Sequence, residues 1–150
     1  MSDRKPPYFP FFGAAFVAFV VISEGCEVFA RMQIGGQPLA HALSETTHYA
    51  VIGFLGTIVS MMPFAAIAWI CASLAKDRLT WAISLMGVCI VAFGLLYFRG
   101  SIAAQAYLLQ SAWTAAALAK GFVPFQCVPI VLLAGVLHFA LARKVSTIAA

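Results

Sequence analysis

Charged residues are scarce in this sequence. Asp, Glu, Lys and Arg make up only 9% of its 150 residues, whereas an average soluble domain contains about 25%. Hydrophobic residues make up 63%, and the mean hydropathy is +0.99. A soluble fold cannot cover its surface with so few charges, so lipid must cover it instead. The composition therefore excludes an ordinary soluble domain and predicts an integral membrane protein in a lipid bilayer.

The sequence also lacks the motifs of common enzymes and cofactor sites. It has no phosphate-binding loop, no catalytic set of Ser, His and Asp, no paired metal motif and no CxxC pair among its four cysteines. Its nine Lys and Arg residues stand at the ends of apolar runs and form no patch for nucleic acid. No internal repeat supports an inverted-repeat transporter. We therefore predict no cofactor and no nucleic-acid partner, and we favour a protein that is not an enzyme.

Four apolar runs are long enough to cross a bilayer, which takes about 20 residues of helix. Each run must be helical in lipid, because an unpaired backbone group there costs on the order of several kcal/mol. The predicted fold is therefore all-α, a single domain over residues 1–150 with four transmembrane helices in one bundle. The predicted spans are residues 8–30, 49–75, 79–98 and 121–142.

Residues 101–119 are uncharged and almost long enough to form a fifth span. Four polar residues lower the hydropathy of the run, namely Gln105, Gln110, Ser111 and Thr114. The links to the neighbouring spans are also very short. Two antiparallel spanning helices could hardly reverse through such links. We interpret the segment as a periplasmic helix in the membrane interface or as an extension of the third span, with a fifth span as the alternative.

Lys and Arg are unevenly distributed between the two sides of the predicted membrane. Cytoplasmic loops carry an excess of these residues, so the richer side is predicted to be cytoplasmic. The prediction is a multi-pass protein of a bacterial inner membrane with both termini in the cytoplasm. Six residues lie on the cytoplasmic side and three on the other, namely Arg4, Lys5, Lys76, Arg78, Arg143 and Lys144 against Arg31, Arg99 and Lys120.

A cleavable signal peptide is the alternative interpretation of the first span. Val28 and Ala30 would be the small residues before its cleavage site. Two glutamates just before such a site are unusual, so we favour an uncleaved span.

Two of the five acidic residues stand one helical turn apart at the end of the first apolar run. Glu24, Glu27 and Arg31 share one helix face, and the last two form a favourable i, i+4 pair. One interpretation is an ionic ladder at a wet membrane interface. The other is an ion-binding or partner-binding set, because ionisable residues within a membrane are costly to bury. In that hypothesis Glu24 lies deeper, and Arg31 balances Glu27 at the water boundary.

Glu45 and His48, in the first periplasmic loop, have the Glu-x-x-His spacing that di-iron bundles use twice. Only one copy is present, so a metal would need the two glutamates of the first span as further ligands. The other interpretation is a helix start at Ser44, where Ser44 caps the helix and Glu45 complements its dipole.

Two further features concern contacts between helices. Cys26 and Cys127 fall near the periplasmic ends of their spans, where the oxidising compartment permits a disulfide. Two unpaired thiols are the alternative. Pro63 lies in the middle of the second span, where it removes the backbone hydrogen bond to Val59 and is predicted to kink the helix.

Three classes of function fit these observations. The first is a protein that acts through helix–helix contacts, as an accessory subunit of a larger membrane complex or an immunity-type protein, with a membrane-protein partner or a second copy of itself. The second is a small proton-coupled or cation-coupled transporter or channel protomer that uses Glu24 and Glu27. The third is an enzyme at the periplasmic face that uses these two residues with Glu45 and His48. We favour the first class, because it fits the short loops and the many small residues.

Overall fold

The computed structural model describes residues 6–148, with side chains over residues 6–141. Part of the basis for the predicted orientation lies outside these limits, namely Arg4, Lys5 and the side chains of Arg143 and Lys144. All regular structure within the described range is helical. The helices are α1 (Tyr8–Gln33), α2 (Leu39–Ile52), α3 (Phe54–Ala75), α4 (Leu79–Leu109), α5 (Trp113–Gly121) and α6 (Val123–Ile148).

Four stretches of the described chain are long and apolar enough to cross a membrane. Three of them are α1, α3 and α4, and the fourth is Trp113–Leu141, which joins α5 to most of α6. An uninterrupted apolar helix satisfies its own backbone hydrogen bonds, so these stretches suit the hydrocarbon interior. The predicted all-α membrane fold with four long helices in a bundle is confirmed.

The central pair of helices in the bundle is α3 and α4. These two pack against each other, and α1 and α6 each contact both of them. The chain reverses between α3 and α4 at residues 76–78, which we call the closed end. The connections at residues 34–38 and 110–112 lie at the other end, which we call the open end and which the Lys and Arg distribution predicts to be periplasmic.

The second span begins later than its apolar run predicts. We expected a helix from Tyr49, but Tyr49 belongs to α2 and the spanning helix starts at Phe54. Gly53 separates the two helices with φ −84° and ψ 30°. A continuous apolar run carries no signal for such a bend, so hydropathy merged the end of α2 with α3.

Residues 101–119 divide between two helices. The third span continues as α4 to Leu109, so the expected extension is present over the first half of the segment. A tight turn follows, in which Ser111 adopts φ 58°, and α5 then packs back along α4. Because α4 has 31 residues, it is about 46 Å long and exceeds a hydrocarbon core of about 30 Å. Its last turns therefore project beyond the membrane interior and pair with α5.

The core is most closely packed from the middle of the bundle to the closed end, a region that we call the closed half. Phe64 contacts Phe19 and Phe93 edge to face, with ring centroids 5.6 and 5.0 Å apart. On the open-end side of these rings, the Tyr97 hydroxyl donates a hydrogen bond of 2.7 Å to the carbonyl of Ser60. Ser60 directly follows Val59, whose carbonyl receives no backbone hydrogen bond from Pro63, so Tyr97 binds the turn of α3 that precedes the proline.

Candidate functional site

Glu27 is the centre of a buried ionic cluster at the open end. Its exposed fraction is only 4%. The Nε of Arg31 donates to one carboxylate oxygen at 3.0 Å, and Lys120 Nζ lies 3.1 Å from the other. The amide of Gln105 donates to the first oxygen at 3.4 Å. Residues from α1, α4 and α5 therefore surround a carboxylate that would be costly to bury alone.

Arg31 extends this cluster to α2. It is 7% exposed, and its guanidinium also donates to Glu45 and lies over the Tyr49 ring, 5.2 Å from the centroid. The amide of Gln37 donates to Glu45 at 3.1 Å, and His41 Nε2 lies 3.3 Å from the same carboxylate. The sequence suggested that Arg31 sits at the water boundary, but the structure buries it because α2 covers it.

A cavity of about 1030 Å³ adjoins the ionic cluster. All six helices contribute to its wall, which includes charged side chains from α1, α2 and α5 as well as apolar side chains. Among the apolar ones, Leu109, Trp113 and Phe125 are 60 to 69% exposed, so they form its rim. The cavity thus combines buried charged groups with an apolar rim.

Glu24 lies on the wall of this cavity and is half-buried. Among the described residues, no Lys, Arg or His nitrogen lies within 4.0 Å of its carboxylate. The charge of Lys120 acts on it from beyond that distance. Of the charged residues that line the cavity, three are acids (Glu24, Glu27, Glu45) and two are bases (Arg31, Lys120), which leaves one negative charge.

Thr46 adds a polar group without a partner to the same wall. The residue is 5% exposed, and its hydroxyl has no hydrogen-bond partner among the described residues. A buried hydroxyl without a partner costs about 1–3 kcal/mol. Thr46 belongs to the cavity wall, but its hydroxyl oxygen is itself buried and does not contact the open space.

Glu45 and His48 both lie in α2, yet they have different surroundings. Glu45 belongs to the ionic cluster, whereas His48 is exposed. No three His, Cys, Asp or Glu side chains of the described chain are grouped so that they could hold a metal ion. The expected helix start at Ser44 is wrong, because α2 begins at Leu39, directly after Pro38. Proline at that position is compatible with a helix start, where its missing N–H is not needed.

The other predicted residues lie within the spans. Cys26 is partly buried and Cys127 is buried, and both are free thiols. Their oxidative pairing stays a prediction. Pro63 is buried inside α3, and the kink that we expect there also stays a prediction.

Sequence reasoning missed Gln105 and Lys120 as members of the site. In the sequence, Gln105 is one of several polar residues that lower the hydropathy of an apolar run, and Lys120 is a charge between two predicted helices. The available signal was weak: a glutamine inside an apolar helix usually needs a polar partner across a helix interface. That signal does not name the partner, which is Glu27 and which the packing of α1 against α4 supplies.

Comparison of the chain with protein-family models, with curated proteins and with solved structures finds no match.

Proposed function

We propose that this protein binds a cationic amphiphile in the open-end cavity. The amine or ammonium group of the ligand would lie beside Glu24, and its apolar part would lie along the hydrophobic side of the wall. The observation that carries this proposal is the excess carboxylate: Glu24 lines a large cavity without an ion-pair partner in the described chain.

The charge of the ligand follows from the pairing of the other groups. Arg31 is shared between Glu27 and Glu45, and Lys120 lies against Glu27. Both cations of the wall are therefore engaged, and an anionic ligand would have to break these pairs. A cation beside Glu24 would instead neutralise the remaining negative charge, and such pairing offsets the cost of burying both groups.

The shape and chemistry of the cavity support an amphiphile over a bare ion. Its volume of about 1030 Å³ is at the upper limit of typical small-molecule pockets, about 300–1,000 Å³. Leu109, Trp113 and Phe125 form an exposed apolar rim, which suits the hydrocarbon chain of an amphiphile.

Binding can be tested by native mass spectrometry on the purified full-length protein, with dodecylamine, dodecanol and dodecanoate as probes. We expect dodecylamine to bind more tightly than the neutral and anionic probes. Glu24→Gln should weaken dodecylamine binding by roughly tenfold, because a charge-assisted hydrogen bond contributes about 1.5–3 kcal/mol.

Asp77→Asn is the matched control, because it makes the same acid-to-amide change at an exposed position of the closed end. It should leave binding unchanged. Equal binding of dodecylamine and dodecanol, or full affinity in Glu24→Gln, would overturn the proposal. Circular dichroism and gel filtration check that each variant is folded.

A cation pathway through a single copy of the chain receives less support. Between Glu24 and the closed end, the described core consists of apolar and aromatic side chains that fill the space between the long helices, among them Phe19, Phe64 and Phe93. An ion would have to displace these side chains to cross.

The accessory-subunit or immunity-type role stays a prediction, as does catalysis at the open end. The outer faces of the long helices carry many exposed apolar side chains, and such a surface suits lipid and a partner helix equally. Purification from native membranes under mild conditions tests this role, since a stoichiometric protein partner would support it.

A further inference from the structure

A second concavity, which we call the Arg99 groove, lies between α4 and the α5–α6 junction. Its volume is about 570 Å³. Four residues of α4 line it, and three of them, Arg99, Ala103 and Tyr107, are spaced four apart and so share one helix face. The fourth, Gly100, lies one turn before Ala104, which lines the large cavity. The two sites are therefore neighbours on α4, and no residue lines both.

Arg99 is the unpaired cation of the open end. Its side chain is exposed, and among the described residues no carboxylate oxygen lies within 4.0 Å of it. The other two cations of this end, Arg31 and Lys120, are both ion-paired. No acidic residue lines the Arg99 groove, so the groove carries one uncompensated positive charge.

Arg99 lies about one hydrocarbon thickness from the start of α4. The helix begins at Leu79, and Arg99 lies 20 residues later, about 30 Å along the axis. A hydrocarbon core is about 30 Å thick, and the head groups lie just beyond it. If α4 enters the core at its first turn, the guanidinium reaches the phosphate layer, and the exposed Phe122 lies in the same groove.

Two further hydrogen-bond donors line the groove. They are the Tyr107 hydroxyl and the Gln126 amide, and neither forms a side-chain hydrogen bond to another described residue. The floor is made of small residues, Ala103, Ala115 and Ala119, which leave room for a ligand. At Gly100, α4 and α6 are so close that a Cβ would overlap Val123, so this contact fixes the width of the groove.

We propose that the Arg99 groove binds the phosphate of an anionic phospholipid. Arg99 would form a bidentate pair with the phosphate oxygens, a geometry that suits guanidinium. Tyr107 and Gln126 would donate to the same head group, and one acyl chain would lie against Phe122. A zwitterionic phospholipid would fit less well, because its amine finds no carboxylate in this groove.

The test is native mass spectrometry of the delipidated full-length protein with phosphatidylglycerol and phosphatidylcholine of identical acyl chains. The parent should retain phosphatidylglycerol preferentially. Arg99→Gln should lower its affinity by roughly tenfold and abolish the preference, whereas Arg99→Lys should keep part of it. Ala103→Leu, which fills the groove without a change of charge, should also reduce binding.

Lys76→Gln is the matched control, because it removes an exposed cation from the closed end. It should keep the preference for phosphatidylglycerol. The proposal is overturned if Arg99→Gln retains that preference, or if Lys76→Gln loses it to the same extent. Retention of Glu24-dependent dodecylamine binding in Arg99→Gln would show that the two sites are independent.

Discussion

The two ends of this bundle organise the same helices in different ways. In the closed half, Phe64 lies between Phe19 and Phe93 with ring centroids 5.6 and 5.0 Å apart, and Phe64 itself is 1% exposed. At the open end, the helices separate around a cavity of about 1030 Å³ with Glu27 in its wall. Apolar side chains can interdigitate until no space is left, whereas a buried ion pair needs specific geometry and additional hydrogen bonds. We infer that the closed half holds the helices together and that the open end recognises a ligand.

Among the substitutions that test this difference between the two ends, we expect Glu27→Ala to cause the largest loss of stability. The change leaves Lys120 without a carboxylate partner and Arg31 with Glu45 alone, and breaking a buried ion pair costs about 3–5 kcal/mol. Equilibrium unfolding in mixed micelles measures the effect. Asp77→Ala, at the exposed closed end, is the control and should change the free energy of unfolding very little. A loss below about 1 kcal/mol for Glu27→Ala would mean that the cluster is solvated like a surface ion pair.

The next largest effect is expected for Phe64→Ala in the closed half. It creates a cavity beside Phe19 and Phe93 and should lower the free energy of unfolding by about 3 kcal/mol. Phe16→Ala, at a side chain that is 57% exposed, should have a much smaller effect. Dodecylamine binding by the folded Phe64→Ala protein should be close to that of the parent. If binding fell as much as in Glu24→Gln, the two regions would not be separate units.

The smallest effect is expected at the boundary between the two regions. Tyr97→Phe removes the hydrogen bond of 2.7 Å to the carbonyl of Ser60 and should cost about 1 kcal/mol. Ser60 also lines the cavity, so increased hydrogen exchange near Pro63 would locate the effect. Unchanged exchange in α3 would show that the proline turn is stable without Tyr97.

Much of the fold follows from the sequence, but the helix boundaries at the open end do not. Hydropathy identifies the four long helices, because lipid imposes helix on any apolar run of sufficient length. It merges the end of α2 with α3, because Tyr49 and Phe54 are both apolar and Gly53 alone marks the bend. Hydropathy also does not distinguish an interfacial helix over residues 101–119 from an extension of the third span. In the structure, the segment divides at the turn around Ser111.

The candidate site was predicted only within one helix. The spacing of Glu24, Glu27 and Arg31 gives a shared face, and the Glu27–Arg31 pair is a local i, i+4 contact. Membership of Gln105 and Lys120 depends on how α4 and α5 pack against α1. No local pattern encodes that arrangement, so these two residues could not be assigned to Glu27 from the sequence.

The sequence by itself determined that this protein is an all-α membrane protein, because its few charges cannot cover a soluble surface and its apolar runs must satisfy their own backbone in lipid. The tertiary structure decided which polar groups meet. Helical periodicity relates residues a few positions apart, whereas contacts between helices depend on turn geometry and on side-chain packing along their full length. For this reason Glu27 has one partner that its own helix supplies and others that only the folded bundle brings within reach.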